Sequence, residues 1–214
     1  MNLPNTTERT PSEGRNHPAA PLGRRPIMVT WQALTGPRLE SARLVLSESR
    51  IKASGRVVAA RSGDHEAYNA SFELSVGEDG VVSRLLLRSA TAEDERQVSI
   101  SRTEDGVWLV DRGRGAERSE FEGAVDVNVE SSVLFNALPI RRLGLHRESG
   151  EHELPVVWVS LPDLSVRLVR ERYRTVSLSD TGSVVSFARD ESANDLTVDP
   201  DGLVIDYPGL ASRV

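Results

Sequence analysis

The middle of the chain holds the polar side chains from which binding or proton-transfer chemistry could be built. Asp126 and Asn128 alternate with Val125, Val127 and Val129, so on an extended backbone both project from one face. There they can bind hydroxyl groups together or orient an arginine. Arg141 and Arg142 follow, adjacent to one another. On an extended chain they point to opposite faces, one towards the interior and an anionic or sugar-bearing group, the other towards solvent or a carboxylate. His146 with Glu151, or His152 with Glu153, provides the imidazole–carboxylate combination used in proton transfer near neutral pH. Hydrolysis also requires a nucleophile or activated water and a group that stabilises developing charge. The sequence has no HExxH and no ordered Ser-His-Asp signature, and these histidines sit in a stretch that reads as exposed loop, so no catalytic residue is assigned. Asp199, Asp201 and Asp206 read as turn residues rather than a calcium loop, and the histidines lack zinc spacing. No cofactor or metal motif emerges.

The elements that must position these groups are extended. Tyr68, Ala70, Phe72 and Leu74 alternate strictly, Gly77-Glu78-Asp79-Gly80 interrupts them, and Val81 to Leu87 resumes, which predicts a hairpin. Arg102 to Gly106 and Asp199-Pro200-Asp201-Gly202 mark further hairpins, and Gly113-Arg114-Gly115 a solvent-facing one. Ser54-Gly55 permits a bulge or a close backbone approach. Between Ser131 and Ile140 the two-residue period breaks. Val133, Leu134, Phe135 and Leu138 suit a short helical crossover, which Pro139 is expected to end before Ile140 resumes an extended path. Closely spaced strands without a helix after each one disfavour a nucleotide-binding α/β fold, and no GxGxxG or GxxxxGK[ST] is present. The expectation is an all-β fold, a strongly curved antiparallel sheet or partly open barrel with a short central helical crossover.

Composition narrows the function classes. A formal charge of −6 without a basic stripe argues against nucleic acid and against general attraction to an anionic membrane. The chain has no cysteine, which removes disulfides and thiolate chemistry. No apolar run long enough for a membrane span or a secretory signal is visible, so a cytoplasmic location without stable membrane insertion is expected. Residues 1–26, rich in proline and small polar groups, read as a flexible arm that could present a protein partner. Residues 27–214 read as one β-rich domain.

Asn136, Leu138, Pro139, Ile140, Arg141, Arg142 and Leu143, preceded by Gly123, Asp126 and Asn128, form a string that resembles the signature of the "putative glycolipid-binding" family of bacterial proteins. Later landmarks are Leu161-Pro162-Asp163-Leu164, Arg172-Tyr173, Asp201-Gly202-Leu203-Val204 and Tyr207-Pro208-Gly209-Leu210. The resemblance runs from about Trp31 to the C-terminus and implies a β protein that binds an amphipathic lipid or glycolipid, with its acyl portion kept from water in an apolar cavity. Departures include Ala124 where cysteine is common and Ala211 where a bulky aromatic is usual. On this reading Trp31, Tyr68, Trp108, Phe135, Trp158 and Tyr173 stand around the core or the binding mouth, while Asp126, Asn128, Asn136, Arg141 and Arg142 meet the head group. The alternatives are a scaffold for protein interaction and, with less support, a glycolipid or ester hydrolase.

Overall fold

The computed structural model describes residues 26–63 and 66–214; the arm expected over 1–26 lies almost wholly outside them. Eight strands come first: β1 (Ile27–Ala33), β2 (Arg38–Leu46), β3 (Ile51–Ala59), β4 (Tyr68–Val76), β5 (Val82–Ala90), β6 (Glu95–Arg102), β7 (Trp108–Asp111) and β8 (Ala116–Ser119). Each pairs antiparallel with the next, as the turn-rich intervals predict. Their alternate residues are buried on one face, as in Ala42, Leu44, Phe72, Leu74, Leu85 and Leu87. Gly55 serves that packing directly. A Cβ at this position would lie 2.3 Å from the Phe72 ring and 2.7 Å from the Ser41 carbonyl oxygen, so only glycine lets the ring approach the β3 backbone this closely.

The second half has β9 (Asp126–Val129), a 3₁₀ turn (Leu134–Asn136) running into α1 (Ala137–Arg142), then β10 (Glu151–Val159), β11 (Val166–Ser177), β12 (Ser183–Arg189), β13 (Ser192–Val198), β14 (Val204–Tyr207) and β15 (Ala211–Arg213). β15 pairs with β1, which joins the halves into one fifteen-stranded sheet ordered β8-β7-β6-β5-β4-β3-β2-β1-β15-β14-β13-β12-β11-β10-β9.

That order corrects the expected fold. The sheet is all-β with a short helical element, but it is open, neither a barrel nor strongly curved, and its terminal strands β8 and β9 do not pair. β8 is four residues long and mostly exposed, which gives closure little surface to bury. One backbone bond, from Val82 N–H to the Val125 carbonyl at 3.2 Å, reaches across from β5 without starting a ladder. The sheet is not wholly antiparallel either, because β9 runs parallel to β10. A parallel pair cannot be joined by a tight turn and needs a crossover, which explains why the helical segment lies where it does. Val133, Leu134, Phe135, Ala137, Leu138 and Ile140 of that crossover pack into the same core as the strands.

Pro139 does not end the helical turn. It sits inside α1, within the first turn, where a backbone N–H has no intrahelical acceptor to lose. Arg141 and Arg142 are therefore helical, and successive residues on a helix diverge by about 100°. They point apart, as expected, but for a helical reason.

Candidate functional site

Asp126 and Asn128 lie in β9, in register with Val156 and Trp158 of β10, and both are buried. From α1, Arg142 donates to Asp126 through Nε at 3.3 Å and Nη2 at 2.5 Å. Burial pushes the Asp126 carboxyl up, and the Arg142 hydrogen bonds pull it back. Arg141 leaves in another direction. It donates to the carbonyls of Ser47 at 2.6 Å, Glu48 and Asp201, tying the β2–β3 and β13–β14 turns to α1. At Gly202, with φ +76°, a Cβ would lie 2.8 Å from the Arg141 stem and 3.2 Å from the His146 ring, so glycine makes room for that clamp.

Around Glu171 of β11 a second group of polar side chains is enclosed. Asn128 donates to Glu171 Oε1 at 2.9 Å, and the Tyr173 hydroxyl lies 2.9 Å from Glu171 Oε2 and 3.1 Å from Asn136 Oδ1. A phenol has one hydrogen and here faces two acceptor oxygens. Both contacts are satisfied when Glu171 is protonated and donates to Tyr173 while Tyr173 donates to Asn136. The Asn136 amide nitrogen faces the Val133 carbonyl at 3.4 Å, consistent with that amide orientation. Burial raises the Glu171 carboxyl to about 7, against the opposing hydrogen bond from Tyr173 and the charge of Arg189. The Arg189 guanidinium stands 3.7 Å from Glu171 and 3.6 Å over the centre of the Trp158 ring, a cation–π contact that covers the network from outside. β11 changes sides along its length: Val166 and Leu168 pack on the main core from one face and Tyr173 from the other, with Glu171 between them.

The aromatic residues anticipated from the sequence are distributed unevenly. Trp31 donates to the Val204 carbonyl and Trp108 to the Ala124 carbonyl, each at 2.8 Å, and both are buried in the core with Phe135 and Tyr173. Phe135 meets Phe72 edge to face at 5.4 Å. Trp158 belongs to a small separate cluster with Val156 and Val169. Of these aromatics, Tyr68 alone is half-exposed and lines a surface recess.

That recess, of about 360 Å³, is formed by the β1–β2 turn at Thr35, Gly36 and Pro37, by Arg38, Ala59, Ala60 and Tyr68, and by Glu130, Ser131, Leu161 and Pro162, with Ser62 and Glu66 at its rim. Strand register builds one wall: Arg38 pairs with Ala59, and Ala59 with Tyr68. These three continue the core-facing row of Glu40, Val57 and Ala70 outward into solvent. Glu130 accepts a hydrogen bond from Leu161 N–H at 2.9 Å, joining the β9 and β10 sides of the recess. Ser131 adopts φ +61°, an unfavourable backbone for a residue with a Cβ and the kind of strain that collects at functional sites.

Beneath the recess Glu40 is buried, accepting from Ser132 Oγ at 2.5 Å and Val133 N–H at 2.6 Å. It caps the crossover from a distant strand, where an acceptor meets the unpaired N–H groups at a helical start. Burial raises its carboxyl to about 7, partly opposed by those hydrogen bonds. Burial also raises the Tyr68 phenol, and the Arg38 charge lowers it.

The sequence pointed to Tyr68 but not to Arg38, Glu130 or Pro162 as its neighbours. The pairing of Arg38, Ala59 and Tyr68 could have been found by extending the antiparallel register from both hairpins; the approach of Glu130 and Pro162 is long-range and leaves no local signal. His146 is buried rather than in an exposed loop. Its Nδ1 lies 3.4 Å from the Ile140 carbonyl oxygen, and burial, then Arg147, pushes the imidazole down. Glu151, His152 and Glu153 lie on β10 and are exposed, across from Arg174, Tyr173 and Arg172. No His, Cys, Asp and Glu grouping suited to a metal occurs among the described residues. Nor does any helix among them have the length and apolarity to cross a membrane.

An open β-sheet whose helical crossover fills the core carries, at one end, a recess that combines an aromatic ring with side chains of both charges. The chain belongs to the family described as "Putative glycolipid-binding", which matches residues 28–213. In fold it is similar to a crystal structure of a DUF1089 family protein from Pseudomonas aeruginosa, with 24% identity, 94% of this chain and 100% of that chain covered, and a TM-score of 0.66. No curated protein matches it.

Proposed function

We propose that the protein binds an amphipathic glycolipid or lipid without covalent chemistry. The sugar-bearing head group occupies the recess of Tyr68, Arg38 and Glu130, and the first part of the acyl chain follows Pro37, Ala59, Leu161 and Pro162. The observation that carries this reading is convergence: a half-exposed aromatic ring, a guanidinium, a carboxylate and apolar side chains meet in one opening of about 360 Å³, within the size range of small-ligand sites. An aromatic face packs against the C–H side of a sugar ring, and Arg38 and Glu130 supply donor and acceptor to its hydroxyls. The family description agrees with that chemistry. Binding is preferred to turnover because the carboxylates held closest to neutrality, Glu40 and Glu171, are enclosed rather than presented to the recess. A cytoplasmic carrier role belongs to the same proposal.

The test is titration with a short-chain alkyl glycoside and with a diacyl glycolipid in detergent, followed by native mass spectrometry of the complex. Saturable binding that falls by about tenfold or more in Tyr68→Ala and in Arg38→Ala is expected, as for loss of an aromatic or charged anchor. Absence of saturable binding by folded protein, or full affinity in both variants, overturns the assignment.

A further inference from the structure

The face of β2–β5 opposite the core has a charge unlike that of the chain as a whole. Strand parity places Arg43, Lys52, Arg56, Arg84 and Arg88 on it, against Glu73. Glu73 stands 3.7 Å from Arg88. Arg43, Lys52, Arg56 and Arg84 have no acidic partner among the described residues. A net charge of −6 therefore coexists with a locally cationic sheet face.

The relief of that face is equally specific. Ser41, Arg56, Ser71, Arg88 and Gln97 lie in one cross-strand row, and Arg43 and Ser54 are paired in the next. Short serines between long arginines leave two adjoining hollows of about 470 and 410 Å³ that share Arg56, Ser71 and Arg88. Glu95 and Arg96 stand at the far rim of one. A phosphate entering between Arg56 and Arg88 meets two guanidiniums with a serine hydroxyl below. The same face exposes large apolar groups: Met28 at 66%, Leu39 at 49% and Val58 at 54%. Met28 is paired with Arg43, and Leu39 with Val58. Cations alternating with exposed apolar side chains, without aromatic groups for base stacking, match a lipid surface better than a nucleic acid.

We propose that this face docks reversibly on an anionic bilayer, with Arg43, Arg56 and Arg88 receiving lipid phosphates and Met28, Leu39 and Val58 entering the interfacial layer. It lies on the opposite side of the sheet from the Tyr68 recess, so the head-group site stays open while the protein is docked.

Flotation with large vesicles tests this: phosphatidylglycerol mixed with phosphatidylcholine, and phosphatidylcholine alone. Recovery with the anionic vesicles should exceed that with the neutral ones by about tenfold or more and be lost in about 0.5 M salt. The double variant Arg56→Glu/Arg88→Glu should lose recovery with anionic vesicles while retaining alkyl-glycoside binding and its circular-dichroism spectrum. Met28→Ser/Leu39→Ser should reduce recovery less and leave the salt dependence intact. Equal recovery with both vesicle types, or recovery unchanged by charge reversal, overturns the proposal. So does full inhibition by glycerophosphoglycerol at a concentration equal to that of the accessible lipid head groups, which would reveal a small-anion site instead. Loss of glycoside binding in the Tyr68→Ala protein with vesicle binding preserved would separate the two sites.

Discussion

The network around Glu171 and Asp126 and the recess around Tyr68 are built from the same residue types: a carboxylate, an arginine and a tyrosine. They differ in solvent access. In the network Asp126 is 0% and Glu171 1% exposed, and every polar atom depends on a protein partner. In the recess Tyr68 and Arg38 are half-exposed and retain hydrogen-bonding capacity for a ligand. Enclosure makes the first arrangement a determinant of structure, since an unpartnered buried charge is costly. Openness makes the second a candidate for recognition, where the same groups contribute little to stability.

The comparison breaks most sharply if Arg142→Ala is tolerated. Removing that guanidinium leaves the buried Asp126 without its ion pair, and a loss of about 3–5 kcal/mol is expected in urea denaturation. A loss below about 1 kcal/mol would mean that water replaces the pair and that the network is not enclosed.

The next effect is pH-dependent. Glu40 and Glu171 have folded-state values raised from 4.5 to about 7, so between those limits the native state binds more protons than the unfolded chain. Stability is then greatest below about pH 4.5 as far as these two groups are concerned. It falls as pH rises towards 7, by up to about 1.4 kcal/mol per pH unit for each group, and levels off above. Denaturation midpoints measured from pH 5 to 8 should show this fall. Glu171→Gln should flatten part of it. The neutral amide accepts from Asn128 and donates to Tyr173, reproducing the protonated carboxyl. An unchanged slope in that variant would locate the proton elsewhere.

The smallest expected effect on stability is at the recess. Tyr68→Ala should cost no more than about 1 kcal/mol of stability while weakening glycoside binding. A loss of several kcal/mol at Tyr68 would make the recess another part of the core and remove the distinction between the regions.

Local sequence was legible where chemistry and period agree over short distances. The interruptions at Gly77–Gly80 and Asp199–Gly202 fall between paired strands, and that at Arg102–Gly106 does so from Thr103 on, Arg102 being the last residue of β6, because turn residues and strand alternation act through neighbouring backbone. Pro139 reads as an end in the sequence because proline disfavours a helical residue before it, yet a position in the first helical turn lacks the lost bond that makes proline disruptive. Adjacent arginines are expected to face apart, and Arg141 and Arg142 do so. Their partners, three turn carbonyls and Asp126, depend on contacts across the fold.

By itself the sequence determined an all-β chain with a helical interruption, its hairpin positions and its family. Tertiary structure decided that the sheet stays open, that β9 and β10 run parallel, that four of the six aromatic residues expected around a binding mouth fill the main core, and that Arg38, Tyr68 and Glu130 share one recess. Alternation and turn chemistry are encoded within a few residues. Strand direction, closure and the burial of a charge depend on which distant surfaces meet, and that is settled by the packing of the whole chain.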